Sequence, residues 1–287
     1  MSVNTPRITR LGDLLGEWEA EATAAHEALQ TGTARGPVTG LTKLDRELGS
    51  CLQPGLHFAH GGPGVGKTAL ALQIASSCGC PAVYVSAEMG LLELFRRHTA
   101  RVTRTFLGRL KSGELPPADS VDLARQAAAA APYLTLVDAT RAYAAPEWLR
   151  QVAQVARGEG RHVLIVIDSI HAWAEAAPEA TNEYETLNAA IAGLRSLAHA
   201  LNAPVLAIAE QNRASMGKGG ISAGAGSRKI EYGSETVLDL SLDDTVAPSA
   251  IGQMPVKLKL AKNRHGTVGR TFNLLFDGAL QTFAEAA

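Results

Sequence analysis

Gly61-Gly62-Pro63-Gly64-Val65-Gly66-Lys67-Thr68 has the form Gly-x4-Gly-Lys-Thr, and its reading decides the fold. A polyphosphate needs many N–H donors converging on a small volume. Glycines let the backbone approach that closely, and the N-terminus of a following helix adds partial positive charge. In this pattern Lys67 reaches the β- and γ-phosphates and Thr68 offers its hydroxyl to Mg²⁺. Upstream, Leu56-His57-Phe58-Ala59-His60 reads as a short strand; downstream, Ala69 through Ala75 reads as a helix with a nearly continuous apolar face. Strand, loop and helix are the context that the chemistry requires, so the stretch is expected to bind a nucleoside triphosphate rather than form an idle glycine-rich turn. The contacts are expected from Gly61, Gly62, Pro63, Gly64, Val65, Gly66, Lys67, Thr68 and Ala69.

Outward from the loop, strands and helices alternate from residue 36 onward. Strands are expected at 56–60, 82–86, 133–137, 163–167, 204–209, 236–241, 255–261 and 270–276, and helices at 68–78, 91–104, 119–130, 146–157 and 183–202. Apolar, β-branched strands between helices indicate an α/β fold with a mostly parallel sheet covered on both faces. The last two strands follow each other without a helix, which predicts an antiparallel hairpin at the C-terminal edge. Residues 1–35 are set apart. Leu11, Leu14, Leu15, Trp18 and Ala22 form one helical stripe over 11–30, and Thr31 to Pro37 breaks it. That helix either folds back on its own domain or serves as an arm docking on a neighbouring subunit.

In an open parallel sheet, ligands bind at the carboxyl ends of the strands. Val163-Leu164-Ile165-Val166-Ile167-Asp168 places Asp168 at that edge, where a carboxylate can hold Mg²⁺ directly or through water. Its alternative is a cap for the next helix. Val83-Tyr84-Val85-Ser86-Ala87-Glu88 places Glu88 just past another strand, able to polarise the water that attacks the γ-phosphate. The alternative is a surface glutamate at a helix start.

Composition bounds the rest. The 287 residues are 46% hydrophobic and carry a net charge of −1, so nucleic-acid contact would need a local patch. Cys51, Cys78 and Cys80 are odd in number and lack zinc spacing, which predicts no metal bound by the cysteines, no disulfide framework and a reducing, cytoplasmic setting. No signal peptide and no apolar run of about 18 or more residues is present, so no membrane association is expected.

Five ordered motifs carry a family resemblance: Thr39-Gly40-Leu41-Thr42-Lys43-Leu44-Asp45, the phosphate loop, Ser86-Ala87-Glu88-Met89, Val166-Ile167-Asp168 and Lys262-Asn263-Arg264-His265-Gly266. Over about residues 36–284 the chain resembles the RecA-like ATPase domain of DnaB-type replicative hexameric helicases. Pro63-Gly64-Val65-Gly66, Ile167-Asp168-Ser169-Ile170 and the Lys-Asn-Arg run are similar to RadA-like RecA paralogues. The resemblance implies an ATP- and Mg²⁺-dependent enzyme assembled as a hexameric ring on single-stranded DNA. It makes Glu88 the catalytic glutamate, Asp168 the Mg²⁺-associated acid, and Arg97 the arginine of the helix after Glu88. Lys262 and Arg264 become cations that reach the γ-phosphate bound by the adjacent subunit, although a solvated hairpin tip is the plainer reading of them.

The chain departs from the family at the γ-phosphate sensor, often a glutamine. Glu210 falls in that slot and Gln211 follows it, so sensing is altered or the register shifts by one. Between Glu210 and Glu231 there is no acidic residue, while Arg213, Lys218, Arg228 and Lys229 stand among glycines. That segment matches the family's second DNA loop and suits a phosphate backbone. The segment matching the first loop, His171 to Glu185, has no Lys or Arg and four glutamates, leaving backbone N–H groups, His171 and Trp173 to serve. The residues before 36 hold neither a primase-binding domain nor the zinc module of RadA-like proteins, an economy expected of a minimal phage or mobile-element helicase. A recombination ATPase that anneals strands and a regulatory ring that binds a protein partner are the alternative functions.

Overall fold

The computed structural model describes residues 7–178, 182–210 and 233–286. The chain divides into two compact units, Met1–Arg35 and Gly36–Ala287. In the first, a 3-10 turn at Leu11–Leu14 leads into α1 (Leu15–Thr31), which Gly32 ends in the left-handed conformation at φ 66°. No residue of α1 is buried, and Leu15, Trp18 and Leu29 are exposed.

The second unit opens with α2 (Thr42–Glu47), β1 (Gly55–Gly61), α3 (Lys67–Ser77), β2 (Ala82–Ser86), α4 (Leu91–Thr103), α5 (Leu107–Ser112) and α6 (Pro117–Ala130). It continues through β3 (Leu134–Asp138), α7 (Pro146–Arg157), β4 (Leu164–Asp168), α8 (Ile170–Glu175), α9 (Glu183–Leu201) and β5 (Pro204–Glu210). β6 (Thr236–Leu242), β7 (Met254–Asn263), β8 (Thr271–Asp277) and β9 (Thr282–Glu285) complete it. Among the described residues, one sheet contains the nine strands in the order β3-β2-β4-β5-β1-β6-β7-β8-β9. β1 to β6 are mutually parallel, and β7, β8 and β9 extend the sheet antiparallel.

The central strands are buried on both faces, as parallel strands under helices must be. One core layer joins α3 and α4 to the inner face of the sheet through Leu70, Ile74 and Leu94 and runs on to Phe276 and Phe283. The other packs α7, α8 and α9 through Leu149, Trp173 and Leu194.

The expected hairpin is present as β7 and β8, but it is not the edge. β9 pairs with β8 beyond it, Phe276 opposite Phe283, and takes the edge position. β9 has four residues and α2, α5 and α8 six each. Such lengths are too short for a period of 2 or 3.6 to declare itself.

His57 sits fully buried in β1. Nε2 lies 2.7 Å from the Gln53 carbonyl, which can only accept, so Nε2 carries the proton and Nδ1 faces the Thr236 hydroxyl at 2.8 Å. Burial pushes its pKa down to about 4. Because the unfolded histidine protonates first as pH falls, the stability held by the neutral ring is intact above the ordinary value near 6.5 and lost as pH drops toward 4. The ring accounts for ~3 kcal/mol of that loss. Urea unfolding at pH 7 and pH 4 should therefore show His57→Gln losing ~3 kcal/mol less than wild type across the same interval. Equal losses would mean that other groups carry the acid sensitivity.

Candidate nucleotide-binding site

β2, β4, β5 and β1 are consecutive in the sheet, and their carboxyl ends meet at one rim. Ser86 pairs with Asp168, and Gly61 with Glu210. The loop after β1, Glu88 after β2, Asp168 at the end of β4 and Glu210 at the end of β5 thus converge. They border a cleft of about 360 Å³ that Pro63, Gly64, Gly66, Lys67, Thr68, Ala69 and Arg97 also line.

The loop curls around its own lysine. Lys67 Nζ donates to the Gly61 and Gly62 carbonyls at 2.9 Å each. Gly64 and Gly66 adopt φ 79° and 93°, where a side chain is strained. Gly66 is doubly required, because a Cβ there would meet Phe283 at 2.8 Å and Phe276 at 3.0 Å. Of the expected nucleotide contacts, Val65 turns its side chain into the core, leaving only its backbone toward the loop. Gly61 and Gly62 hold the lysine, and a Cβ on Gly61 would lie 2.5 Å from the Leu240 carbonyl.

Three carboxylates surround this ammonium. Asp168 is 5% exposed and accepts a hydrogen bond from Tyr84 Oη at 2.5 Å and another from the Thr68 hydroxyl. Burial raises its pKa, and the two hydrogen bonds oppose that rise. Burial also lowers the pKa of Lys67, against the attraction of Glu210, Asp168 and Glu88. Burial, then the neighbouring Asp168, keep Tyr84 protonated well past its usual range. Glu88 accepts a hydrogen bond from Ser169 Oγ, and Ser169 in turn caps α8. The peptide between Asp168 and Ser169 is cis. A threonine hydroxyl beside a carboxylate is an oxygen donor set that fits Mg²⁺.

Arg97 reaches the cleft from α4. Its Nε lies 3.4 Å from Glu93, and Nη1 donates to Gln281 Oε1 at 2.7 Å. Gln281 is held in turn by the Gly278 carbonyl at 2.6 Å, in the turn between β8 and β9. Phe276 and Phe283 stack beneath the loop with centroids 4.5 Å apart. Sequence reasoning did not assign Tyr84, Ser169, Phe276 or Gln281 to the site. Ser169 was within reach, since it directly follows an acid at a strand's carboxyl end. The other three act across strand pairings that local sequence does not encode.

Lys262 and Arg264 do not join this cleft. Lys262 pairs in register with Val237 and donates to the Ser234 carbonyl at 2.6 Å, while Arg264 meets Glu235 at 3.1 Å. The two lie toward the amino end of β1, about 10 Å or more along the sheet from the loop. Trp173, named as a residue that could serve in the first loop, is fully buried against Tyr143 and donates Nε1 to the Ala144 carbonyl at 2.9 Å, so it is closed to a DNA strand. Gln211, Arg213, Lys218, Arg228 and Lys229 lie outside the described residues. Among the described residues no helix is long and apolar enough to cross a membrane.

Gly66→Ala should cost about 2–4 kcal/mol in chemical denaturation, from left-handed strain plus the clash with Phe283. In a Phe283→Ala background the clash is relieved and the increment should shrink. Strict additivity would mean that the contact with Phe283 is not among the reasons for glycine.

The model of the DnaB-like helicase C terminal domain family matches residues 36–285. The replicative DNA helicase DnaB of Treponema pallidum is 29% identical over 256 residues, covering 86% of this chain and 56% of that protein. The Geobacillus stearothermophilus DnaB is 25% identical, covering 85% and 55%. The chain thus spans about half the length of these relatives. Among solved structures, the ATPase domain of G40P superposes with a TM-score of 0.78 at 20% identity, covering 94% of this chain and 98% of that one. A KaiC-like protein from Pyrococcus horikoshii gives 0.61 at 14% identity, covering 88% and 100%, so the fold extends beyond helicases. With a family match over nearly the whole second unit and the strand-end residues gathered on one cleft, the chain belongs to the DnaB-like helicase C-terminal domain family.

Proposed function

We propose that this chain is the motor of a ring-forming helicase, which hydrolyses ATP with Mg²⁺ at subunit interfaces and moves along single-stranded DNA. The observation that carries this reading is an incomplete cleft. Lys67, Thr68, Glu88, Asp168 and Arg97 share one rim, while Lys262 and Arg264 stand away from it on β7 and the turn beyond. Cations placed away from their own cleft suit service to a neighbour's. Residues 36–287 are the ATPase domain and residues 1–35 an arm docking on an adjacent subunit, to which the exposed Leu15, Trp18 and Leu29 are suited.

Lys67 holds the β- and γ-phosphates, exchanging its carbonyl partners for phosphate oxygens. Glu88, oriented by Ser169, takes the proton of the attacking water. Thr68 and Asp168 hold Mg²⁺, which when bound neutralises charge on the phosphates. Glu210 or Gln211 senses the γ-phosphate. Lys262 and Arg264 of the neighbouring subunit stabilise the charge that builds on the transferred group. Arg213, Lys218, Arg228 and Lys229 bind the phosphates of the strand, whose backbone charge dominates affinity.

Glu88→Gln should keep ATP binding and lose turnover by about 10²-fold or more; retained turnover removes the residue's role as base. Arg264→Ala should lower turnover by ~10³-fold. Mixing Arg264→Ala subunits with Lys67→Ala subunits should restore part of it, because an intact cleft then meets an intact cation across some interfaces. No recovery on mixing argues that Arg264 serves its own chain or none. Forked DNA tests the remainder: annealing without unwinding points to a recombination ATPase, and hydrolysis indifferent to single-stranded DNA to a regulatory ring.

A further inference from the structure

At the end of α3 opposite the phosphate loop, Cys78 follows the last helical turn, and Gly79 at φ 81° folds the chain back toward β2. That turn brings two thiols into contact, with Cys78 Sγ 3.7 Å from Cys80 Sγ. Cys78 is 1% exposed, Cys80 is partly exposed, and both are free thiols. The third cysteine, Cys51, is buried on the segment before β1. The two sulfurs need to approach by only about 1.7 Å to reach bonding distance. A Cβ on Gly79 would meet nothing within 4 Å, so the turn has room to adjust.

We propose that Cys78 and Cys80 are a modification site, a dithiol that closes to an intramolecular disulfide when it meets a low-molecular-weight disulfide such as oxidised glutathione. Cys80 passes its proton to the Cys78 sulfur it touches, and its partly exposed sulfur attacks one sulfur of the oxidant as the thiolate. The oxidant's S–S bond breaks, one glutathione leaves as thiolate, and Cys80 carries the other in a mixed disulfide. Cys78, already in contact, attacks Cys80 Sγ and expels the second glutathione. The two protons of the dithiol end on the two glutathione molecules, the protein is oxidised by two electrons and the oxidant reduced by two. In the reduced pair the hydrogen bond between the two sulfurs lowers the pKa of Cys78 and raises that of Cys80, so the first proton leaves from Cys78, whose thiolate then takes the proton of Cys80. The bond is a reversible one, distinct from a stabilising framework: it spans a single residue and one of its sulfurs is open to reducing thiols.

The contact also ties the site to the rest of the unit. The Cys78 carbonyl accepts from Val38 N at 3.0 Å, and the Pro81 carbonyl accepts from Leu164 N at 3.0 Å. The bridge would therefore form between two anchored points, the end of α3 and the start of β2.

The test uses the full folded chain, incubated with oxidised glutathione, quenched in acid, unfolded and alkylated, then read by intact mass and peptide mapping. The reduced chain should take three alkyl groups. The oxidised chain should lose two hydrogens, take one alkyl group, on Cys51, and recover all three sites after reduced glutathione. Cys78→Ser should stop at a glutathione adduct on Cys80, because no second sulfur is at hand to expel it. Three alkylated cysteines after oxidation, a stable adduct on wild-type Cys80, or a bridge to Cys51 would each overturn the proposal. The wild-type peptide map decides this by itself if the variant does not fold.

Discussion

A buried ammonium organises the second unit. Lys67 is 8% exposed, and desolvation works against its charge, so that charge persists only because acceptors are fixed around it. Two are carbonyls of its own loop, and three are the carboxylates of Asp168, Glu88 and Glu210. Each carboxylate comes from a different strand end, so the cluster exists only while β2, β4, β5 and β1 keep their order and register. The loop glycines, the hydroxyls of Thr68, Tyr84 and Ser169, and the aromatic pair beneath the loop all serve to keep these charges in place.

The antiparallel extension completes the cleft from the side. β8 and β9 place Phe276 and Phe283 against Gly66 and hold Gln281 on Arg97. Gln73 of α3 reaches the same edge, accepting from Phe283 N at 2.8 Å and donating to the Phe283 carbonyl at 3.1 Å. The helix that starts at the phosphate loop is therefore clamped to the last strand of the chain. A shift of that edge would move the loop, Arg97 and the lysine together.

Several parts of this arrangement were legible in the residues. The run 61–68 needs no partner to be recognised, because its glycines and lysine follow from the chemistry of phosphate. Asp168 and Glu88 could be placed because each closes an apolar strand, and ligand edges lie at strand ends. Long periodic helices such as α7 and α9 fell within a residue or so of expectation. Trp173 was misjudged because its sequence surroundings suggested a loop, whereas the six-residue α8 carries it into the core.

By itself, then, the sequence determined the local chemistry: a phosphate loop, two carboxylates at strand ends, and apolar strands buried on both faces. Those features depend on residues close together in the chain. Only the tertiary structure decided that β4 and β5 lie between β2 and β1, that Tyr84 bonds Asp168, and that the β8–β9 turn holds Arg97. It also brought Cys78 and Cys80 together, through a backbone turn that their spacing alone does not specify. The physical reason is that periodicity reports which face of an element is buried, not which element buries it. Hydrogen bonds such as Arg97 to Gln281 join residues 184 positions apart, and their geometry is set by the packing of the whole sheet.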